Sequence, residues 1–67
     1  MQFSKVLKEL RNEKGWTQTQ LGEKLNVTSG CITGWENRGR EPGLKMLCRI
    51  AKIFDVTVDY LLGVEED

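Results

Sequence analysis

The sequence predicts an all-α domain built from five short helices. Apolar residues recur at intervals of three and four, which places them on one face of each predicted helix. No segment alternates apolar and polar residues in the manner of a half-buried strand. The apolar share of 39% is modest but periodic, and it favours a compact helical bundle over disorder. Because 67 residues suffice for only one small core, we expect a single domain over 1–67, with its globule at about 3–62.

The first two helices are predicted from an apolar face and from their end signals. One face of the first helix, over residues 3–14, carries Phe3, Leu7 and Leu10. Gly15 ends that helix. Thr17 is predicted as the N-cap of the second helix, and Gln20, three residues later, completes a capping box. Trp16 and Leu21 flank this cap in the positions of a hydrophobic staple.

A tight turn follows the second helix and leaves no room for a loop. Asn26 tolerates left-handed backbone better than most residues and therefore ends the helix, and Val27 fills the corner. Thr28 or Ser29 then caps the third helix. Gly22 lies on the inner side of the second helix, where we expect its missing side chain to let the third helix cross closely.

The second and third helices together have the geometry of a DNA-binding motif. Leu21 and Leu25 share one face of the second helix, and Ile32 and Trp35 share one face of the third, at about 28–36. Two helices locked at a steep angle, the latter with a small polar outer face, are typical of a helix-turn-helix that enters a DNA groove. Amphipathic helix pairs without a DNA function show the same pattern, so the choice between the two interpretations depends on the flanking residues.

The second half of the chain is predicted as a loop followed by two helices. Residues 37–43 form the loop, because Gly39 supplies backbone freedom and Pro42 bars a continuing helix. The fourth helix uses the apolar residues Leu44, Leu47, Ile50, Ala51 and Phe54. The short fifth helix is capped by Thr57 and bears Tyr60, Leu61 and Leu62 before Gly63. We expect a core that includes Leu7, Leu10, Trp16, Leu21, Leu25, Val27, Ile32, Trp35, Leu47, Ile50, Phe54 and Leu61.

The net charge of zero conceals an uneven distribution. Residues 1–54 hold all ten Lys and Arg with only five acidic residues, a balance of +5. Residues 55–67 hold five acidic residues and no basic one, a balance of −5, and 63–67 form an acidic tail. A basic body of this kind is compatible with binding to phosphate, although the same asymmetry also serves simply to keep a small protein in solution.

The two cysteines do not indicate a metal site. Cys31 and Cys48 are 17 residues apart in a chain without histidine, whereas zinc sites show closely spaced pairs of ligands. A disulfide fits the count, but both residues fall in helical apolar patterns, where a free cysteine behaves as a small buried hydrophobe. Reduced cysteines, with no membrane span and no signal peptide, predict a cytoplasmic protein.

The residues do not support an enzyme. Without histidine, and with its serines and cysteines on helices or caps, the chain shows no pairing of a nucleophile with a base. No glycine-rich phosphate loop follows a strand, and the acidic residues alternate with Lys and Arg at helical spacing, as on a solvated surface. We therefore expect no catalytic residue, no cofactor, no metal and no small-molecule ligand.

Four segments in this order resemble the phage repressor and Cro family of helix-turn-helix DNA-binding domains. They are LKELRNEKGWTQTQLGEKL, the turn NVT, ITGWENRGREP and LCRIAKIFDVTVDYLLG, and they cover about residues 3–62. The resemblance implies a lambda-repressor-like fold of five helices and a transcriptional regulator, expected to be a repressor, that binds operator DNA as a two-fold dimer. It also implies a bacterial or phage-infected host cell, with the protein associated with the nucleoid.

The resemblance assigns roles to residues beside the third helix. Gln18 resembles a glutamine that holds a backbone phosphate and braces the recognition helix, and Asn37 resembles a second phosphate contact. The alternative for Gln18 is a plain, solvent-exposed helix start, whereas for Asn37 a plain C-cap is compatible with the phosphate contact. Arg11 and Glu36 resemble an ion pair that ties the first helix to the end of the third. Further phosphate contacts are expected from two residues of the loop, Arg38 and Arg40, because their long cationic side chains could reach the DNA backbone. The alternative is that these side chains are merely solvated.

The recognition helix itself departs from the family pattern. The positions expected to face base edges are Thr28, Ser29, Gly30, Thr33 and Gly34. These side chains are short or absent, whereas long amide or cationic side chains usually make the paired hydrogen bonds to bases. Either the helix inserts deeply, or DNA shape and phosphate contacts carry more of the discrimination.

Two alternative functions remain open, and the residues also suggest where two copies of the chain would meet. A protein-interaction module of the same fold, antitoxin-like or antirepressor-like, would also fit the small outer face and the net charge of zero. The chain would also fit the amino-terminal DNA-binding piece of a longer repressor, because such domains usually meet a linker where Gly63 lies. The dimer contact is expected near the fifth helix, at Tyr60 and apolar residues of 56–64, unless these only complete the monomer core.

Overall fold

The computed structural model describes residues 2–64. They fold into α1 (Phe3–Glu13), α2 (Gln18–Leu25), α3 (Ser29–Asn37), α4 (Leu44–Phe54) and α5 (Val58–Leu62). No strand occurs within this range, so the predicted all-α class and its five helices are confirmed. None of these helices is long and apolar enough to cross a membrane. The last three residues of the predicted acidic tail, 65–67, lie outside the described residues.

Threonine caps set the start of three helices. The Thr17 hydroxyl accepts a hydrogen bond from the Gln20 N–H at 3.0 Å, and the Gln20 side chain accepts one from the Thr17 N–H at 2.8 Å, which is the predicted capping box. Thr28 and Thr57 begin α3 and α5 in the same way, each accepting from the N–H three residues on. Asn26 ends α2 with a left-handed φ of 60°, as predicted. Each such cap satisfies a donor that the helix cannot satisfy itself.

The close approach at Gly22 involves the turn rather than the body of α3. A Cβ atom at Gly22 would lie 2.7 Å from the Val27 carbonyl oxygen and 3.3 Å from Thr28 backbone atoms. The Val27 N–H also donates to the Gly22 carbonyl oxygen at 2.8 Å. The missing side chain therefore lets the turn and Thr28, the N-cap of α3, lie directly against α2.

One apolar core joins all five helices. Trp16 and Val27, both predicted as core residues, are half-buried and pack against it, and the Trp16 ring centroid lies 5.4 Å from that of Phe54. The fully formed core adds Phe3 and Ala51 to the predicted set. Its buried members are Phe3, Leu7, Leu10, Leu21, Leu25, Ile32, Trp35, Leu47, Ile50, Ala51, Phe54 and Leu61.

Two residues of α4 were wrongly assigned to its apolar side. Leu44 is 81% exposed, because it is the first residue of the helix, directly after the N-cap Gly43. Cys48 is also exposed, since it lies one turn further along the same outward face. Cys31 is half-buried against the core, and both cysteines are free.

Helix packing leaves one side of α3 open. α3 contacts α2 and α1, while α5 contacts α1 and α4. The backbone N–H of Gln2 donates to the Leu62 carbonyl oxygen at 3.1 Å and so ties the start of the chain to the end of α5. α1 and α2 therefore pack against the inner side of α3, while Thr28, Ser29 and Gly30 at its start are exposed.

Candidate nucleic-acid interface

The first turn of α3 presents a surface of small residues. Thr28, Ser29 and Gly30 are all exposed, as the sequence predicted. The Thr28 oxygen accepts from the Cys31 N–H at 3.1 Å, and its hydroxyl proton remains free to donate. A groove surface could approach the helix backbone closely here, because no long side chain intervenes. Contact of these residues with base edges remains a prediction.

The next turn of α3 differs from the prediction. Thr33 is half-buried rather than fully outward, and its hydroxyl lies 2.9 Å from Gln18 Oε1 and 3.1 Å from the Ser29 carbonyl oxygen. Because a hydroxyl has one proton, these two acceptors share it. Thr33 therefore joins α3 to α2, and its contact with a base edge remains a prediction.

Gly34 lies on the outer side of α3 but is not exposed, which differs from the prediction. It is buried because the Arg40 side chain lies over it: a Cβ atom at Gly34 would be 3.1 Å from Arg40 Cδ. The backbone N–H groups of Arg38 and Arg40 both donate to the Gly34 carbonyl oxygen at 3.1 Å. The loop after α3 thus folds back over the helix at Gly34, where the absence of a side chain leaves room for Arg40.

A buried ion pair fixes α3 to α1. Arg11 Nε lies 2.7 Å from Glu36 Oε2 and Arg11 Nη2 lies 3.0 Å from Glu36 Oε1, so the predicted pair is present and bidentate. The Glu36 side chain is 0% exposed and that of Arg11 is 13% exposed. The hydrogen bond to Glu36 raises the pKa of Arg11, against the opposing effect of burial. The guanidinium also donates to the Trp16 carbonyl oxygen at 2.7 Å, which includes the start of α2 in the same cluster.

Gln18 connects this ion pair to the outer face. Its Nε2 donates to Glu36 Oε1 at 3.2 Å, and its Oε1 accepts from the Thr33 hydroxyl. The side chain thus braces α3, as the resemblance implied. A second N–H on Nε2 remains for a phosphate, and that contact stays a prediction.

A polar stripe on α1 was missed in the sequence. The Ser4 hydroxyl donates to the Trp35 carbonyl oxygen, and Lys8 Nζ donates to Asn37 Oδ1 at 2.9 Å. With Arg11, these residues are four and three apart and line one edge of the helix beside its apolar face. That spacing was visible in the sequence. Lys8 orients the Asn37 amide and adds a positive charge beside its predicted phosphate contact.

The charged loop borders the same surface. Arg38 and Arg40 are exposed, and Asn37 is exposed at the end of α3. Positive charge therefore lies along the carboxyl-terminal end of the helix, where it also suits the helix dipole. Among residues 2–64, no cluster of His, Cys, Asp and Glu side chains is suited to hold a metal ion.

The sequence of this chain is similar to those of known helix-turn-helix proteins. A family model described as helix-turn-helix matches residues 7–61. The transcriptional regulator ImmR of Bacillus subtilis is 36% identical over 98% of this chain and 52% of its own length. The transcriptional activator BcrR of Enterococcus faecalis is 42% identical over 98% of this chain and 32% of its own length. The chain thus spans only about half, or less, of these relatives.

Two crystal structures have the same fold. A transcriptional regulator from Listeria innocua superposes with a TM-score of 0.89 and 29% identity, covering 98% of this chain and 62% of that one. The P22 c2 repressor, solved in complex with a synthetic operator, superposes with a TM-score of 0.85 and 25% identity. That match covers 94% of this chain and 96% of the repressor chain. The likeness therefore extends over nearly the whole of the described chain.

Proposed function

The chain belongs to the helix-turn-helix family, and we propose that it is a transcriptional regulator that binds double-stranded DNA in a sequence-specific manner. The observation that carries the proposal is the exposed, small-residue first turn of α3, held in place by the buried Arg11–Glu36 pair. A helix fixed in this way can enter the major groove without losing its orientation. The P22 c2 repressor, which is similar in fold over 94% of this chain, was solved with an operator bound.

The proposed contacts divide into two kinds. Thr28, Ser29 and Gly30 approach base edges, where the hydroxyls donate or accept and the glycine permits close contact. The phosphate contacts flank them and set the register of the protein on the duplex. These come from Gln18 at the start of α2, from Asn37 at the end of α3, and from the loop residue Arg38.

We propose that the protein acts on DNA as a two-fold dimer. An outer face so poor in long side chains gives a weak half-site, and a dimer places two copies of α3 about 34 Å apart on one face of the duplex. Tyr60 is 43% exposed and Val64 is 55% exposed at the carboxyl-terminal side. These two residues are the proposed self-contact, which leaves the basic surface free for phosphate.

The biological setting follows from the same proposal. The proteins to which this chain is similar are named as a transcriptional regulator and a repressor, and we assign to the chain no catalytic activity and no cofactor. We propose that the protein works in the cytoplasm on nucleoid DNA. Repression is the expected direction of control, and a promoter reporter tests it directly, because the similar protein BcrR is named an activator.

The test is selection of bound sites from a random DNA pool, followed by titration of the selected duplex at several salt concentrations. We expect a dyad-symmetric consensus, two chains per duplex in sedimentation, and affinity that falls steeply between about 50 and about 200 mM salt. One chain bound equally well to a half-site would contradict the dimer. Failure to retain any DNA at low salt would contradict DNA binding and favour a protein-interaction module.

A further inference from the structure

We propose that Arg40, a loop residue, reads a guanine base edge from the position that a side chain of α3 would normally occupy. The inference rests on the proposed DNA-binding function and assigns to one residue a part of its specificity. It replaces the phosphate contact that the sequence suggested for this arginine.

The position in question is Gly34. It lies four residues after the exposed Gly30 and therefore on the same side of α3. The three atoms nearest to the place of a Cβ at Gly34 all belong to Arg40: Cδ at 3.1 Å, Cγ at 3.8 Å and Nε at 3.8 Å. The end of the Arg40 stem and the first atom of its guanidinium group thus lie beside the place that a side chain at position 34 would fill.

The loop backbone holds Arg40 in this place. The Arg40 N–H donates to the Gly34 carbonyl oxygen at 3.1 Å. Gly39, with a φ of +68°, allows the chain to reverse just before it. The arginine stem therefore packs on the helix backbone, and a larger residue at position 34 would occupy the same space.

The chemistry of the site favours a base edge. In the groove, the outer face of a recognition helix meets the bases, while phosphates lie to either side. The first two turns of α3 bring hydroxyls, a methyl group or no side chain to that face. An arginine fork laid over it can donate two hydrogen bonds to O6 and N7 of guanine, the commonest specific contact in the major groove.

The first test compares the sites selected from a random DNA pool by the wild-type chain and three variants. R40A is expected to lose the preference for one guanine in each half-site, by about tenfold or more, and to keep the rest of the consensus. R40K keeps the charge but not the planar fork, so it should lose the same preference with an unchanged salt slope. R38A, from the same loop, should weaken binding to all sequences alike.

A second test uses the glycine. G34A places a methyl group 3.1 Å from Arg40 Cδ and should displace that flexible side chain, so it should reduce the same guanine preference. In the R40A background, G34A should have no further effect on that preference. G30A is the matched control in the same helix: its Cβ would meet only Thr28 Oγ1, at 3.7 Å, and its effects should be independent of Arg40. Circular dichroism confirms that each variant is folded.

The outcomes separate this inference from the proposed function. An unchanged consensus for R40A, with uniformly lower affinity and a salt slope smaller by about one, would make Arg40 a phosphate contact and overturn the inference. Additive effects of G34A and R40A on the guanine preference would also overturn it. If the wild-type chain itself selects no consensus and binds no DNA at low salt, the proposed function fails first.

Discussion

The two faces of α3 differ in the size of their side chains, in burial and in the number of partners. The inner face carries Ile32, Trp35 and Glu36, all buried, with Glu36 bonded to both Arg11 and Gln18. The outer face carries Ser29 and Gly30, both exposed. The inner face holds the helix at a fixed angle, whereas the outer face leaves room for a ligand to come close to the backbone.

This difference shows where stability and specificity reside in so small a domain. Substitutions on the inner face should cost folding free energy, and substitutions on the outer face should change DNA affinity with little effect on folding. Gly34 belongs to the outer face but has no side chain, and the Arg40 side chain from the loop covers it. The expected effects on the free energy of unfolding decrease from the inner face to the outer face.

The largest effect is expected at the buried ion pair. Glu36→Ala should lower the free energy of unfolding by about 3–5 kcal/mol, because it leaves Arg11 with no carboxylate partner. Urea denaturation of Glu36→Ala, Arg11→Ala and the double variant measures the coupling. The exposed Glu9→Ala on α1 is the matched control and should stay within about 0.5 kcal/mol of wild type. Additive losses in the double variant would contradict a coupled pair.

The next effect is expected from the apolar residue at the centre of the inner face. Ile32 is 0% exposed, so Ile32→Ala should cost about 2–5 kcal/mol through lost burial and the cavity it leaves. Ile53→Ala, at a half-buried isoleucine of α4, should cost clearly less in the same urea series. Equal losses at the two positions would show that burial of Ile32 contributes no more to stability than the partial burial of Ile53.

A moderate effect is expected at the cap between the two faces. Thr28→Ala removes the acceptor of the Cys31 N–H and should cost about 1 kcal/mol in thermal or urea unfolding. Thr28→Ser keeps the hydroxyl and should retain most of the stability. The exposed Thr19→Ala, inside α2, is the control for loss of a threonine away from a cap. A Thr28→Ala variant as stable as wild type would show that the Thr28 hydroxyl does not stabilise the start of α3.

The smallest effect on folding is expected on the outer face. Ser29→Ala should change the free energy of unfolding by less than about 0.5 kcal/mol. Its affinity for the selected duplex should nevertheless fall by roughly fivefold, the equivalent of one hydrogen bond. Cys48→Ser on α4 should leave both quantities unchanged. A large loss of stability with Ser29→Ala, or no loss of affinity, would contradict the assignment of DNA binding to the outer face and of stability to the inner face.

Local rules in the sequence predicted the parts of the fold that depend on neighbouring residues. The capping box of Thr17 and Gln20, the left-handed Asn26 and the cap at Thr57 each involve a few adjacent positions, and the structure confirms them. The inner face of α3 followed from spacing, since Ile32 and Trp35 can be buried together only on one side of a helix. Family resemblance added the partner of Arg11.

The parts that depend on distant residues were not predictable in this way. Gly34 was assigned to the open surface because helical spacing puts it there, and nothing in the spacing shows that Arg40 folds back over it. Leu44 matched the apolar pattern of α4, but its position at the first turn puts it in solvent. The hydrogen bond from Lys8 to Asn37 could not be predicted from local spacing, because the two residues lie 29 positions apart in the chain.

Binding through α3 is best tested by the change in backbone amide signals when the selected duplex is added to labelled protein. The largest changes are expected at the start of α2 and in the first turn of α3, at Gln18, Ser29 and Gly30, followed by the loop residues Arg38 and Arg40. Changes concentrated instead on the exposed basic residues of α4, which are Lys45, Arg49 and Lys52, would contradict this mode of binding.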